Sequence, residues 1–167
     1  FIALLKRKPG ELTFGSSGTG AILHLATELF LDAAGVTARH VSYRGGAQML
    51  NDLIGGQIDF CTSGLVSVQQ HIQAGALKAF GTMTTERVHA SPNIPALAES
   101  MPGFSVEGWI AMMGPKGMGA PQVKKVHDAL IAAFGDPEVK DTLVKQGNVI
   151  EISSTDKAKA TFYRDSE

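Results

Sequence analysis

Apolar positions in the first half of the chain recur in short runs that alternate between two periods. Ile22, Ala26, Leu29, Phe30 and Ala33 share one helical face, whereas Leu12-Thr13-Phe14 and Ala38 to Tyr43 read as strands. Phe1 to Arg7 reads as the last turns of a helix that Pro9-Gly10 stops. Further on, Ala47 to Ile54 and Val66 to Gln73 predict helices closed by Gly55-Gly56 and Gly75, and Gln57 to Thr62 and Leu77 to Met83 predict strands. The order is βαβαβαβ. Strands alternating with short helices imply an α/β fold whose mainly parallel sheet carries helices on both faces.

Pro92, Pro95 and Pro102 break up Thr84 to Gly103, leaving a loop with one short helix around Ala96 to Ser100. Phe104 to Met113, with the only tryptophan, Trp109, is the longest extended candidate. Beyond Gly114-Pro115 the character changes. Val123, Val126, Leu130, Ile131 and Phe134 mark an amphipathic helix opened by Pro121, and a second helix runs from Pro137 to about Lys145. Asn148 to Ile152 reads as a strand, and Ser153 or Ser154 caps a last helix. No internal repeat is visible.

Composition narrows the function. With 15 Lys+Arg against 16 Asp+Glu the net charge is -1, which leaves no basic footprint for nucleic acid. One cysteine excludes a disulfide framework, and Glu28, Asp32 and Asp52 interrupt every apolar stretch that approaches the length of a membrane span. The positive cluster Lys6-Arg7-Lys8 follows the apolar start instead of preceding it, unlike a signal peptide. With no initiator Met, and with Asp165-Ser166-Glu167 falling inside an expected helix, both ends read as cuts in a longer protein.

The 19 glycines concentrate in short loops. In an open parallel sheet, ligands bind beyond the carboxyl ends of the strands, where loops lead into helix amino ends. Three such loops stand out, Gly15 to Gly20, Tyr43 to Ala47 and Thr62 to Val66, carrying the hydroxyls of Ser16, Ser17, Thr19 and Ser63. One glycine loop more often only turns the chain, but three at successive strand ends offer converging N–H and O–H donors to an anion. Arg44 is their one cation and could face an acid or water. The first loop lacks the Lys-Ser/Thr of a phosphate loop and the Gly-x-Gly-x-x-Gly order, and Thr19 stands where a nucleophile elbow needs glycine. The histidines at 24, 40, 71, 89 and 127 share no ligand spacing, so neither a metal nor a cofactor is expected, and Cys61 reads as a buried thiol.

Leu12-Thr13-Phe14-Gly15-Ser16-Ser17-Gly18-Thr19-Gly20 with His24-Leu25-Ala26, Val41-Ser42-Tyr43-Arg44-Gly45-Gly46-Ala47, and Leu53-Ile54-Gly55-Gly56-Gln57-Ile58-Asp59 resemble the tripartite tricarboxylate transporter receptors, also called Bug proteins. The resemblance extends to Gly108-Trp109, Asp136 to Lys140 and Gln146-Gly147. It implies a type II periplasmic-binding-protein-like fold, with one complete lobe and part of the other. Residues 1–10 would end a connecting helix from lobe one, 11–104 would form lobe two, and 105–167 would hold the crossing strand, with Trp109 near the hinge, and a truncated part of lobe one. Residues from Pro115 onward would then pack with one another and with Phe1 to Leu5.

The function so implied is non-catalytic: a periplasmic receptor that captures a small organic di- or tricarboxylate between its lobes and delivers it to an integral-membrane permease. The whole receptor would be a monomer. Its ligand would meet Ser16, Ser17, Gly18, Thr19, Gly20, His24, Tyr43, Arg44, Gly45, Gly46, Ala47, Ser63 and Gly64. Many relatives carry Asp-Asn where this chain has Ser63-Gly64, which argues against a ligand with an ammonium group, although an acidic residue from the missing half of lobe one, or more weakly Asp59 reaching inward, could compensate. The alternative is an enzyme on a doubly wound fold, using Ser17 or His24; no acid–base constellation beside the glycine loops supports it.

Overall fold

A computed structural model describes residues 1–106, 108, 110–145, 148 and 150–164. The chain divides into two compact units, Phe1–Gly108 and Trp109–Glu167. In the first, helix α1 (Ile2–Arg7) leads to β1 (Thr13–Ser16), α2 (Ile22–Ala34), β2 (Arg39–Ser42), α3 (Gly46–Ile54), β3 (Phe60–Cys61), α4 (Leu65–Gln73) and a 3₁₀ turn at Leu97–Glu99. The second unit contains α5 (Ala120–Gly135), α6 (Pro137–Lys145) and α7 (Thr155–Arg164). Among the described residues no helix is long and apolar enough to cross a membrane.

The sheet is parallel, in the order β2-β1-β3. Side chains alternate across it. Phe14 of β1 and Phe60 of β3 turn to one face, where they pack with Leu5 of α1 and Phe30 and Leu31 of α2. Gly15 turns to the other, where Met49 and Leu50 of α3 and Ile58 form a second cluster. A Cβ at Gly15 would stand 2.5 Å from Ile58 Cδ1 and 2.7 Å from Met49 Cγ, so only glycine lets α3 approach the central strand. Gly35 ends α2 in the left-handed conformation (φ 61°), with the Val36 N–H donating to the Leu31 carbonyl at 2.9 Å.

The expected fourth strand is absent. Thr82 makes one isolated parallel bridge to Ala96, and the Leu97 N–H donates to its carbonyl at 2.8 Å. The segment 77–83 holds a single β-branched residue, Thr82, and Gly81 lies directly against Leu97. The described residues of 104–113 and of 148–152 likewise carry no strand; Trp109 and Val149 lie outside the described residues. In the second unit Asp136 opens α6 by accepting the N–H groups of Glu138 and Val139, and the Ser154 hydroxyl, one of the two expected caps, accepts the Lys157 N–H at 3.2 Å.

Candidate functional site

Parallel pairing sets Ser16 opposite Ser42 and Gly15 opposite Cys61. All three strands therefore end on one edge of the sheet, and the loops leading into α2, α3 and α4 leave from that edge together. The residues preceding these helices, Ala21, Gly45 and Gly64, supply no side-chain cap. An α-helix leaves its first four N–H groups without intrahelical partners. Three helix amino ends without side-chain caps thus face the same side.

The first loop depends on two glycines with positive φ, Gly18 at 144° and Gly20 at 79°, and on two histidines beneath it. Ser16 is fully buried; its hydroxyl donates to the Gly18 carbonyl at 3.0 Å, accepts the Gly18 N–H at 3.3 Å and meets His40 Nε2 at 2.7 Å. At the other end of the loop the Gly20 N–H donates to His24 Nδ1 at 3.2 Å. The two imidazoles lie against each other with centroids 4.0 Å apart, and Phe14 stacks near both. His24 Nε2 is 3.5 Å from Glu28 Oε1. Burial, then the neighbouring His24, push His40 below the usual histidine value, with Glu28 opposing.

Thr19 and Gly20 are exposed and Ser17 and Gly18 half-buried at the loop surface. Tyr43 is turned away from the loops. Its ring packs on the Met49–Leu50–Ile58 cluster and its hydroxyl donates to Asp52 at 2.9 Å, while its backbone N–H donates to the Ser16 carbonyl, coupling the first two loops. Burial, with the hydrogen bond to Asp52, raises the Tyr43 phenol above its ordinary value. Arg44, Gly46 and Ala47 are exposed and Gly45 half-buried. The third loop is joined to α2 where the hydroxyl of buried Thr27 meets that of half-buried Thr62 at 2.8 Å; beyond it Ser63 is half-buried and Gly64 exposed.

Other chemistry is constrained. Asp59 cannot reach these loops, because its carboxylate accepts both the N–H and the hydroxyl of Thr13, at the opposite end of β1. Burial pushes the Cys61 thiol up to about 11, leaving it a protonated, unreactive group at neutral pH. The Ser16–His40 contact has the length of a nucleophile–base hydrogen bond, but Ser16 has no accessible surface for a substrate. No group of three or more potential metal-binding residues occurs among the described residues. Neither His40 nor Glu28 is among the site residues expected from the sequence. The strand period placing His40 on the Phe14 face was the available signal, and the packing of α2 against β1 that brings Glu28 near was not.

The sequence profile described as tripartite tricarboxylate transporter family receptor matches residues 1–165. A relative from Pseudomonas sp. (strain P51), called UPF0065 protein in the tcbD-tcbE intergenic region, is 33% identical over 144 residues, spanning 85% of this chain and 43% of its own length. The chain thus spans less than half of that relative. Among solved structures, R. palustris Rpa4515 with adipate superposes with a TM-score of 0.91 at 26% identity, covering 98% of this chain and 55% of that one. Periplasmic binding protein BugD gives 0.78 at 31% identity, over 87% and 49% of the two chains.

Proposed function

Because this chain belongs to the tripartite tricarboxylate transporter receptor family, a family of receptors and not of enzymes, we propose that it supplies the carboxylate-gripping lobe of a two-lobed periplasmic receptor. That receptor captures a small organic di- or tricarboxylate and delivers it to a membrane permease. The observation carrying this reading is the set of three helix amino ends without side-chain caps on one edge of the parallel sheet. Such an edge is rich in donors. Each terminus favours an anion by about 0.3 to 1 kcal/mol, and hydroxyl and amide donors add charge-assisted bonds.

One ligand carboxylate lies over the first loop, met by the hydroxyls of Ser17 and Thr19, while the amides of Gly18 and Gly20 are held by Ser16 and His24 and fix the path of the loop beneath it. Arg44 and the amides of Gly45, Gly46 and Ala47 approach from the second loop, which the Tyr43 N–H ties to the Ser16 carbonyl of the first, and Ser63 and Gly64 approach from the third. The similar R. palustris protein seen with adipate supports a simple diacid.

The preferred ligand carries no free amino group. Desolvating an ammonium costs several kcal/mol unless an acid compensates, and Asp59 and Asp52 are already engaged with Thr13 and Tyr43. Calorimetry on the two-lobed receptor tests the reading: adipate or succinate should bind saturably, be recovered unchanged, and bind more tightly than aspartate or glutamate. Turnover of the diacid, or tighter binding of an amino acid, would overturn it, and Ser63→Asp should move the preference toward amino acids.

A further inference from the structure

Building on the carboxylate-receptor reading, we propose that His24 is a positioning residue for the first loop, holding it in its binding conformation only while the imidazole is uncharged, so that ligand affinity falls as the ring takes up a proton. The proton inventory carries the argument. A ring nitrogen that accepts a hydrogen bond bears no proton. His24 Nδ1 accepts from the Gly20 N–H, so its proton sits on Nε2, toward Glu28. On the other side the Ser16 hydroxyl has one proton, which the Gly18 carbonyl receives, and the 2.7 Å contact to His40 is then completed by a proton on His40 Nε2. His24 is therefore neutral in this arrangement, which a second imidazole 4.0 Å away favours.

The loop is therefore tied at both ends, near Gly18 through Ser16 and at Gly20 through His24, beside the two glycines whose positive φ sets its path. In sequence terms His24 is the third residue of α2, the place from which a capping-box side chain reaches back to the chain before the helix. The imidazole reaches one residue further back than a capping-box side chain, to the N–H of Gly20 instead of that of Ala21, and it can accept this bond only while Nδ1 bears no proton. Protonated Nδ1 would present a hydrogen to the Gly20 hydrogen, and the bond would be lost. The groups facing His24 are Glu28 on its own helix, which favours the proton, and His40 from β2, which opposes it as a like charge; β1 presents Phe14 and the Ser16 hydroxyl. The amino end of α2 also opposes a cation.

Simple Coulomb attraction makes the opposite prediction, since an imidazolium below an anion site should tighten carboxylate binding. The deciding variant is His24→Asn, whose amide oxygen stands near the Nδ1 position and does not titrate. Adipate affinity is measured by calorimetry from pH 7.5 to 6, with the Gly20 amide followed by nitrogen-15 NMR on the same protein. Between the pH at which NMR shows the His24 ring neutral and the pH at which it shows it protonated, wild type should lose roughly three- to tenfold more affinity than His24→Asn, the worth of one hydrogen bond. The Gly20 amide should titrate together with the His24 ring in wild type and stay fixed in His24→Asn. His24→Ala should bind weakly throughout, with His24→Asn recovering most of that loss at pH 7.5. Identical pH profiles, tighter binding in acid confined to wild type, or a Gly20 amide indifferent to the His24 ring would each overturn the proposal. Failure of wild type to bind adipate at any pH would instead refute the carboxylate reading, and the NMR titration would still decide the tether.

Discussion

Gly15→Ala places one methyl group where the central strand meets α3, and the structure sets the cost. The new Cβ would lie 2.5 Å from Ile58 Cδ1 and 2.7 Å from Met49 Cγ, both well inside van der Waals contact. Neither neighbour has free space to move into, because Met49 is 1% and Ile58 4% exposed. Overpacking of this kind costs about 1 to 3 kcal/mol, a large share of the roughly 5 to 15 kcal/mol that holds a domain folded. Urea unfolding followed by far-ultraviolet circular dichroism reads the loss as a lower midpoint. Ile58→Val makes the test sharper by deleting Cδ1, the nearer clashing atom. Alone it should cost about 0.5 to 1.5 kcal/mol, yet combined with Gly15→Ala it should cost less than the sum of the two. A Gly15→Ala protein as stable as wild type, or strictly additive effects in the double variant, would show that the β1–α3 contact is not as close as described.

Three further outcomes are expected. Ser17→Ala with Thr19→Ala should weaken adipate binding by about tenfold or more, the worth of hydrogen bonds to a charged group, with little change in melting temperature because both residues lie at the loop surface; unchanged calorimetric affinity would remove them from the site. Arg87 holds Glu99 through paired hydrogen bonds and, with the Ala96 N–H, keeps its carboxyl down at about 2. That contribution is present above the ordinary carboxyl value near 4.5 and lost as pH falls toward 2, so the melting temperatures of wild type and Glu99→Gln should converge in acid; a constant gap from pH 7 to 2 would contradict it. All the buried apolar residues among those described lie in the Phe1–Gly108 unit, so hydrogen exchange should be slowest in β1 and α2 and faster throughout α5 and α6, and equal protection would count against that division of the core.

Local sequence sufficed wherever the determinant of structure was itself local. The helical spacing from Ile22 to Ala33, the stops at Pro9-Gly10 and Gly35, and the three strand ends followed by glycine determined the βα alternation, and from it the parallel sheet and its loop-bearing edge. The motifs around Gly15 to Gly20, Tyr43 to Ala47 and Leu53 to Asp59 determined the family. Leu77 to Met83 failed as a strand because strand pairing depends on a partner elsewhere in the chain, and here Pro95 to Leu97 takes that place with a single bridge. Asp59 could be placed only once its bond to Thr13 was visible, 46 residues away in sequence. Tyr43, expected to face a ligand, had its side chain claimed by Asp52 and the core beneath α3. The tertiary structure alone decided that His24 and His40, 16 positions apart, lie in contact under one loop, because one comes from α2 and the other from β2 and both stack on Phe14 of the strand that pairs with β2.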